Sequence, residues 1–201
     1  MSDDKVGVMF SEQMSGGFAL GQTDPEAGAK AGKSQVLTMH GTITIDDLDT
    51  FIADPKHLGR LDVRMDWAPF GMDLPAFGGV FNLFAPTGDP KLKLMVYEWC
   101  VQHDNKSYYF AGQKDVKVHP LFDVWRDTTT LYTTLHEGTD KTGKAVGAGI
   151  LDLTPAGLIK MLGTMTALNA DSIGESARAT TRFGRFFLGE IWETYVKKAG
   201  A

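Results

Sequence analysis

At 201 residues the chain is the size of one domain, long enough to bury about 70% of the surface its unfolded form exposes. Hydrophobic content of 43%, charged content of 22% and a net charge of −5 exclude a disordered chain and argue against a nucleic-acid surface. The single cysteine, Cys100, rules out an internal disulfide and points to a reducing compartment, and the acidic start MSDDKVG lacks the basic and apolar pattern of a secretory signal. No apolar run approaches the length of a membrane-spanning helix, so a cytoplasmic protein without a transmembrane segment is expected.

Residues 6–22 read as strand, broken at Gly16 and Gly17, and "GQTDPEAGAKAGKS" reads as a loop or short helix. Residues 35–45 resume strand chemistry. "DDLDTFIADP" predicts a short helix with acids in its first turn and Leu48, Phe51 and Ile52 on one side, stopped at Asp54-Pro55. Further strands are expected at about 60–68, 78–85, 92–103, 107–118, 124–136 and 144–153, with "APTGDP", "HDNK", "HPLF" and "GTDKTGK" as turns.

The hydrophobic period then changes. Thr154 is placed as a helix N-cap with Pro155 at the first helical position, and Leu158, Ile159, Leu162 and Met165 follow at helical spacing. A second helix over 174–198 gathers Phe183, Phe186, Phe187, Ile191 and Tyr195 on one stripe, with Arg178, Arg182, Arg185 and Glu193 opposite. Gly184 lies in the apolar stripe and predicts a close helix approach. No repeat or linker interrupts the chain, so residues 1–201 are read as a single domain. The expected fold is mainly β: a curved antiparallel sheet or lipocalin-like barrel of about eight strands, with one short early helix and two C-terminal ones. A β-sandwich fits the same strand count, whereas the connections are too short for parallel order.

The familiar catalytic signatures are absent. "GAKAGKS" has one residue too few between its glycines for a phosphate loop. "GAG" at 147–149 lies inside a strand and reads as a bulge or close backbone contact, not a dinucleotide fingerprint. His40, His57, His103, His119 and His136 show no tight ligand spacing, so no metal or cofactor is expected. Cys100 lies mid-strand without a basic neighbour, as an inert packed thiol would.

What remains is the hairpin around "HDNK". A turn centred on Asn105 would set Tyr97 opposite Gln113, Trp99 opposite Ala111 and Val101 opposite Tyr109. A further turn near Leu121 would bring in the strand "VWRDTTTLYTTLHEG". One face then collects Met95, Tyr97, Trp99, Tyr109, Gln113, Trp125 and Asp127. The other collects Glu98, Cys100, Phe110, Lys114, Arg126 and Tyr132. The first face has the composition of a small-molecule pocket or of a filled core whose polar groups satisfy one another, and composition alone favours the filled core. Five threonines in that strand would need partners for their hydroxyls if buried, and a solvated edge is the other reading. Glu12 shares a strand face with Phe10 and Met14, so it is expected to be paired, with Arg64 or Arg126, or to be used.

Several stretches in order, "FSEQMSG", "TMHGTITIDDLDTFIADPKH", "GVFNLFAP", "LMVYEW", "WRDTTTLYTTLHEG", "GAGIL" and "RFGRFFLGEIWETY", resemble an accessory domain. It is found beside cholesterol-oxidase-like flavoenzymes of the glucose–methanol–choline class in bacteria, and beside some lipase-like hydrolases. The resemblance implies a link to sterol or other lipid substrates and a flavin-dependent oxidoreductase or hydrolase as partner, with no catalytic residue or cofactor of the chain's own. It shifts the balance toward a pocket. The expectation is a non-catalytic binding domain for an apolar small molecule. Its contacts would be Glu12, Tyr97, Trp99, Tyr109, Gln113, Trp125, Asp127 and Tyr132, with Trp125 or Tyr132 touching ligand and Asp127 or a threonine holding its polar end. Two alternatives stay open: a small acid–base enzyme using Glu12, Asp127 or Glu98, and a purely structural partner domain.

Overall fold

Among the described residues ten antiparallel strands form one sheet, and eight of them close on themselves. The computed structural model describes residues 5–117 and 124–192. In chain order the elements are β1 (Gly7–Leu20), α1 (Pro25–Ala31), β2 (Val36–Ile45), α2 (Leu48–Ala53), β3 (Leu58–Trp67), β4 (Gly71–Pro75), β5 (Phe77–Pro86) and β6 (Leu92–His103). They continue with β7 (Lys106–Lys117), α3 (Val124–Thr129), β8 (Thr130–Glu137), β9 (Ala145–Asp152), α4 (Pro155–Gly163), β10 (Thr166–Leu168) and α5 (Ile173–Trp192). Strands β1, β2, β3, β5, β6, β7, β8 and β9 pair in that order, and β9 pairs back with β1. The result is a lipocalin-like barrel, and the sandwich alternative falls because there is one closed sheet instead of two. The short β4 pairs with β3, and β10 with the start of β1.

Two-residue alternation builds the wall. In β3, Leu61, Val63, Met65 and Trp67 are buried while Arg60, Asp62 and Arg64 face out. At one end, Phe51 of α2, His57 and Phe183 of α5 are buried together, with Phe183 5.6 Å from Phe10 and Phe186 4.8 Å from His57. At the other end Phe18, Trp67, Phe70 and Phe110 stack into a second aromatic layer. The late helix therefore uses its expected stripe of Phe183, Phe186, Phe187 and Ile191. Glu193 and Tyr195 of that expectation lie outside the described residues, as does His119.

Several expectations need correction. β1 runs through Gly16 and Gly17 unbroken, because the barrel needs its full length to reach both β2 and β9. Gly184 makes no close approach; a side chain there would have nothing within 4 Å. The strand expected over 124–136 begins as helix α3 and turns to strand at Thr130. Thr128 and Thr129 bond back to the carbonyls of Val124 and Trp125 at 2.6 and 2.5 Å, so the short helix has local polar support that strand propensity does not register. The early glycines instead serve packing. A Cβ at Gly28 would sit 2.0 Å from the carbonyl oxygen of Ala148, and one at Gly149 would sit 2.3 Å from that of Gly17. Without side chains there, α1 lies against β9 and β9 closes on β1. Among the described residues no helix is long and apolar enough to cross a membrane.

Candidate functional site

The β6–β7 hairpin decides what faces inward. Asp104 and Asn105 take φ of 49° and 59°, the left-handed pair of a two-residue turn, and His103 pairs with Lys106. The turn thus lies between Asp104 and Asn105, not on Asn105, and the register moves by one residue. Tyr97 faces Gly112, Trp99 faces Phe110 and Met95 faces Lys114. Because the side-chain period is two, the slip turns over every side chain of β7. Tyr109 and Gln113 leave the expected face, and Lys114 enters the barrel.

Lys114 meets Glu12 there. Its Nζ is 3.9 Å from Glu12 Oε2, with both side chains 2% exposed. The same Nζ donates to the Tyr97 hydroxyl at 3.3 Å and lies 4.7 Å from the Tyr97 ring centre. Glu12 is therefore paired, but with a lysine of β7; Arg64 bonds Asp73 on the outside. Burial lowers the Lys114 pKa, and the Glu12 charge opposes that shift. Burial, then the charge and hydrogen bonding of Glu12, hold the Tyr97 phenol well above its ordinary value. At this separation the charges attract by about 4 kcal/mol in an effective dielectric of about 20. Desolvation costs several kcal/mol for each ion, so the pair is no stronger a staple than an apolar rung.

The surroundings are soft and incompletely satisfied. Met14, Met39 and Met65 stand directly opposite one another on β1, β2 and β3, all fully buried, an adaptable thioether rung. Gly41 is the rung partner of Glu12. A Cβ there would touch the ends of Leu61 and Met39, both at 3.4 Å, and lie 3.9 Å from the Glu12 carbonyl oxygen. Glu12 Oε1 and the indole nitrogens of Trp67 and Trp99 have no hydrogen-bond partner among the described residues, an expensive condition in a barrel interior.

Of the eight residues singled out in the sequence, the fold brings Glu12, Tyr97 and Trp99 together inside the barrel. The others do not share that face. Tyr109 lies on the outer wall and donates to Glu98 Oε2 at 2.5 Å, while Lys141 donates to Glu98 Oε1 at 3.1 Å. Gln113 bonds Asp115 on the outside, opposite Tyr132. Trp125 is 44% exposed on α3. Asp127 is buried and accepts from the Lys117 amide at 3.4 Å. Of the three candidate bases only Glu12 faces the interior. Sequence reasoning missed Lys114, Trp67 and the methionine rung. The signal for Lys114 was present: Asp-Asn, two residues that tolerate positive φ, marks a two-residue turn and with it the register.

The wall is interrupted along β1. β1 pairs with β10 through Gly7, Val8 and Met9, and with β9 through Ser15, Phe18, Ala19 and Leu20. From Phe10 to Met14 it has no strand on that side, and α4 lies across it. The Thr164 hydroxyl accepts from the Ser11 amide at 2.9 Å and lies 3.1 Å from the Ser11 carbonyl oxygen. Beside it, between α4 and the outer faces of β1 to β3, runs a groove of about 490 Å³ lined by Gln13, His40, Arg64, Lys160, Val63 and Met161 among others. Glu12 sits in the middle of this seam. Among the described residues no three His, Cys, Asp or Glu side chains gather as metal ligands would. No protein-family model, curated protein or solved structure matches the chain.

Proposed function

We propose that this barrel is a non-catalytic binding module for a sterol or other lipid-like apolar molecule, taken into its interior. The observation that carries the reading is the Glu12–Lys114–Tyr97 cluster, a costly buried polar group in a core of aliphatic, aromatic and methionine side chains. Such a cluster adds little stability over an apolar rung, and specific recognition of a ligand is a reason for a barrel to keep it. The methionine rung supports the same reading, because unbranched thioethers repack around a guest at low cost. A role beside a lipid-metabolising oxidoreductase or hydrolase rests on the resemblance alone, and a cytoplasmic setting on the lone buried thiol of Cys100.

Trp99 lies inside and Trp125 outside, so intrinsic fluorescence discriminates. Titration with sterols and fatty acids should give a saturable change that weakens in Trp99→Phe and persists in Trp125→Phe. Absence of any response to either class, with far-ultraviolet circular dichroism showing an intact fold, overturns the reading. Native mass spectrometry of the protein from its own host, searching for a co-purifying lipid, is the independent check.

A further inference from the structure

The polar groups inside the barrel restrict the kind of ligand it accepts. Among the described residues Glu12 Oε1 is a buried acceptor with no donor. Lys114 Nζ, 3.9 Å from Glu12 Oε2, has three donors and, among the described residues, one hydrogen-bond acceptor, the Tyr97 hydroxyl. We infer that this site recognises a neutral hydroxyl at the end of an apolar molecule: the hydroxyl donates to Glu12 and accepts from Lys114. The inference rests on the binding function proposed above and adds the chemical class of the ligand.

Other single polar ends fail on one side of the pair. A carboxylate pairs with Lys114 but sets a second negative charge against Glu12. An ammonium does the reverse. A carbonyl accepts from Lys114 yet offers nothing to Glu12 Oε1, leaving a buried charged acceptor unmet. Only a group that both donates and accepts satisfies the two partners without adding charge. Gly41, the rung partner of Glu12, presents no side chain, and a Cβ there would already touch the ends of Leu61 and Met39 at 3.4 Å, so a guest oxygen is admitted by movement of these two flexible side chains.

The test uses a chain-matched series on the intact protein: decan-1-ol, decanoate and decylamine at about pH 8, where the last two are charged, read by tryptophan fluorescence. Decan-1-ol should bind at least about tenfold tighter than either charged analogue. In Glu12→Gln the charge-assisted acceptor is lost and Lys114 is freed from its counter-ion, so the preference should reverse toward decanoate. Decanoate binding as tightly as decan-1-ol to the wild type overturns the inference while leaving the binding function intact. So does an alcohol preference unchanged in Glu12→Gln. Failure of all three probes while sterols still change the fluorescence overturns this inference alone; failure of these probes and of every sterol and fatty acid overturns the binding function with it. The wild-type series decides the ligand class by itself, so a variant that does not fold provides no shelter.

Discussion

The wall made by β6 and β7 and the seam between β1 and β9 meet the same requirement, partners for backbone polar groups around a closed sheet, in different ways. In the wall, pairing is continuous from Leu92 with Lys117 to His103 with Lys106. Trp99 stacks on Phe110 inside it, ring centres 5.0 Å apart and planes within 7°. In the seam, β1 is paired only at its two ends, and a threonine hydroxyl stands in for a strand at Ser11. α4, which covers the gap, has no buried residue and exposes Ile159 and Leu162. A region with few buried contacts and substituted hydrogen bonds opens at lower free energy than a fully laddered hairpin. The two halves of the buried Glu12–Lys114 pair thus belong to differently built regions, Lys114 to a hairpin laddered throughout and Glu12 to the gap in β1.

That contrast can be broken most strongly at the wall. Trp99→Ala should cost about 3–5 kcal/mol in urea unfolding, from lost burial and the cavity it leaves; a loss under about 1 kcal/mol would mean the hairpin is not closely packed. Next comes the ion pair. Lys114→Met should cost about 3 kcal/mol or more by stranding Glu12, yet Lys114→Met combined with Glu12→Leu should return close to wild-type stability or exceed it. A double variant as unstable as the single one would show that the pair stabilises the fold after all.

Alkali sharpens the comparison through Tyr97. Its phenol is held above the ordinary value, so the folded state keeps a proton that the unfolded chain releases above about pH 10. Stability linked to this group is fully present below that pH and is lost as pH rises through the folded value. Unfolding at pH 8 and pH 11 should show the loss, and Tyr97→Phe should reduce it. An identical loss in the variant would assign the effect to other groups. The smallest effect belongs to the seam. Thr164→Val should cost about 1 kcal/mol for the hydrogen bonds at Ser11. It should also speed hydrogen exchange at the Ser11 amide while leaving that of Tyr97 unchanged; equal acceleration at both would mean that seam and wall open as one unit.

Much of this architecture was readable in the chain. Alternation in "FSEQMSG" placed Phe10, Glu12 and Met14 on one face, which the structure turns inward, and the Thr154-Pro155 cap marked the start of α4. The site was legible only in part. Glu12 announced itself as an acid on an apolar face, and Tyr97 and Trp99 as aromatics with polar handles. Tyr109 and Gln113 were misassigned because a turn centre misplaced by one residue exchanges the two faces of a strand. Trp125 and the first threonines were misread because β propensity in a six-residue stretch yields to local side-chain hydrogen bonds.

The sequence by itself determined the strand content, the two late helices and the inward acid, since these follow from hydrophobic period and capping chemistry within a few residues of each position. Only the tertiary structure decided that the sheet closes, that Lys114 is the partner of Glu12 and that α4 covers the gap in β1. Closure and pairing join residues as distant as Glu12 and Lys114. Their contact depends on the summed registers of all the intervening strands, and a single two-residue turn at Asp104–Asn105 sets the last of them.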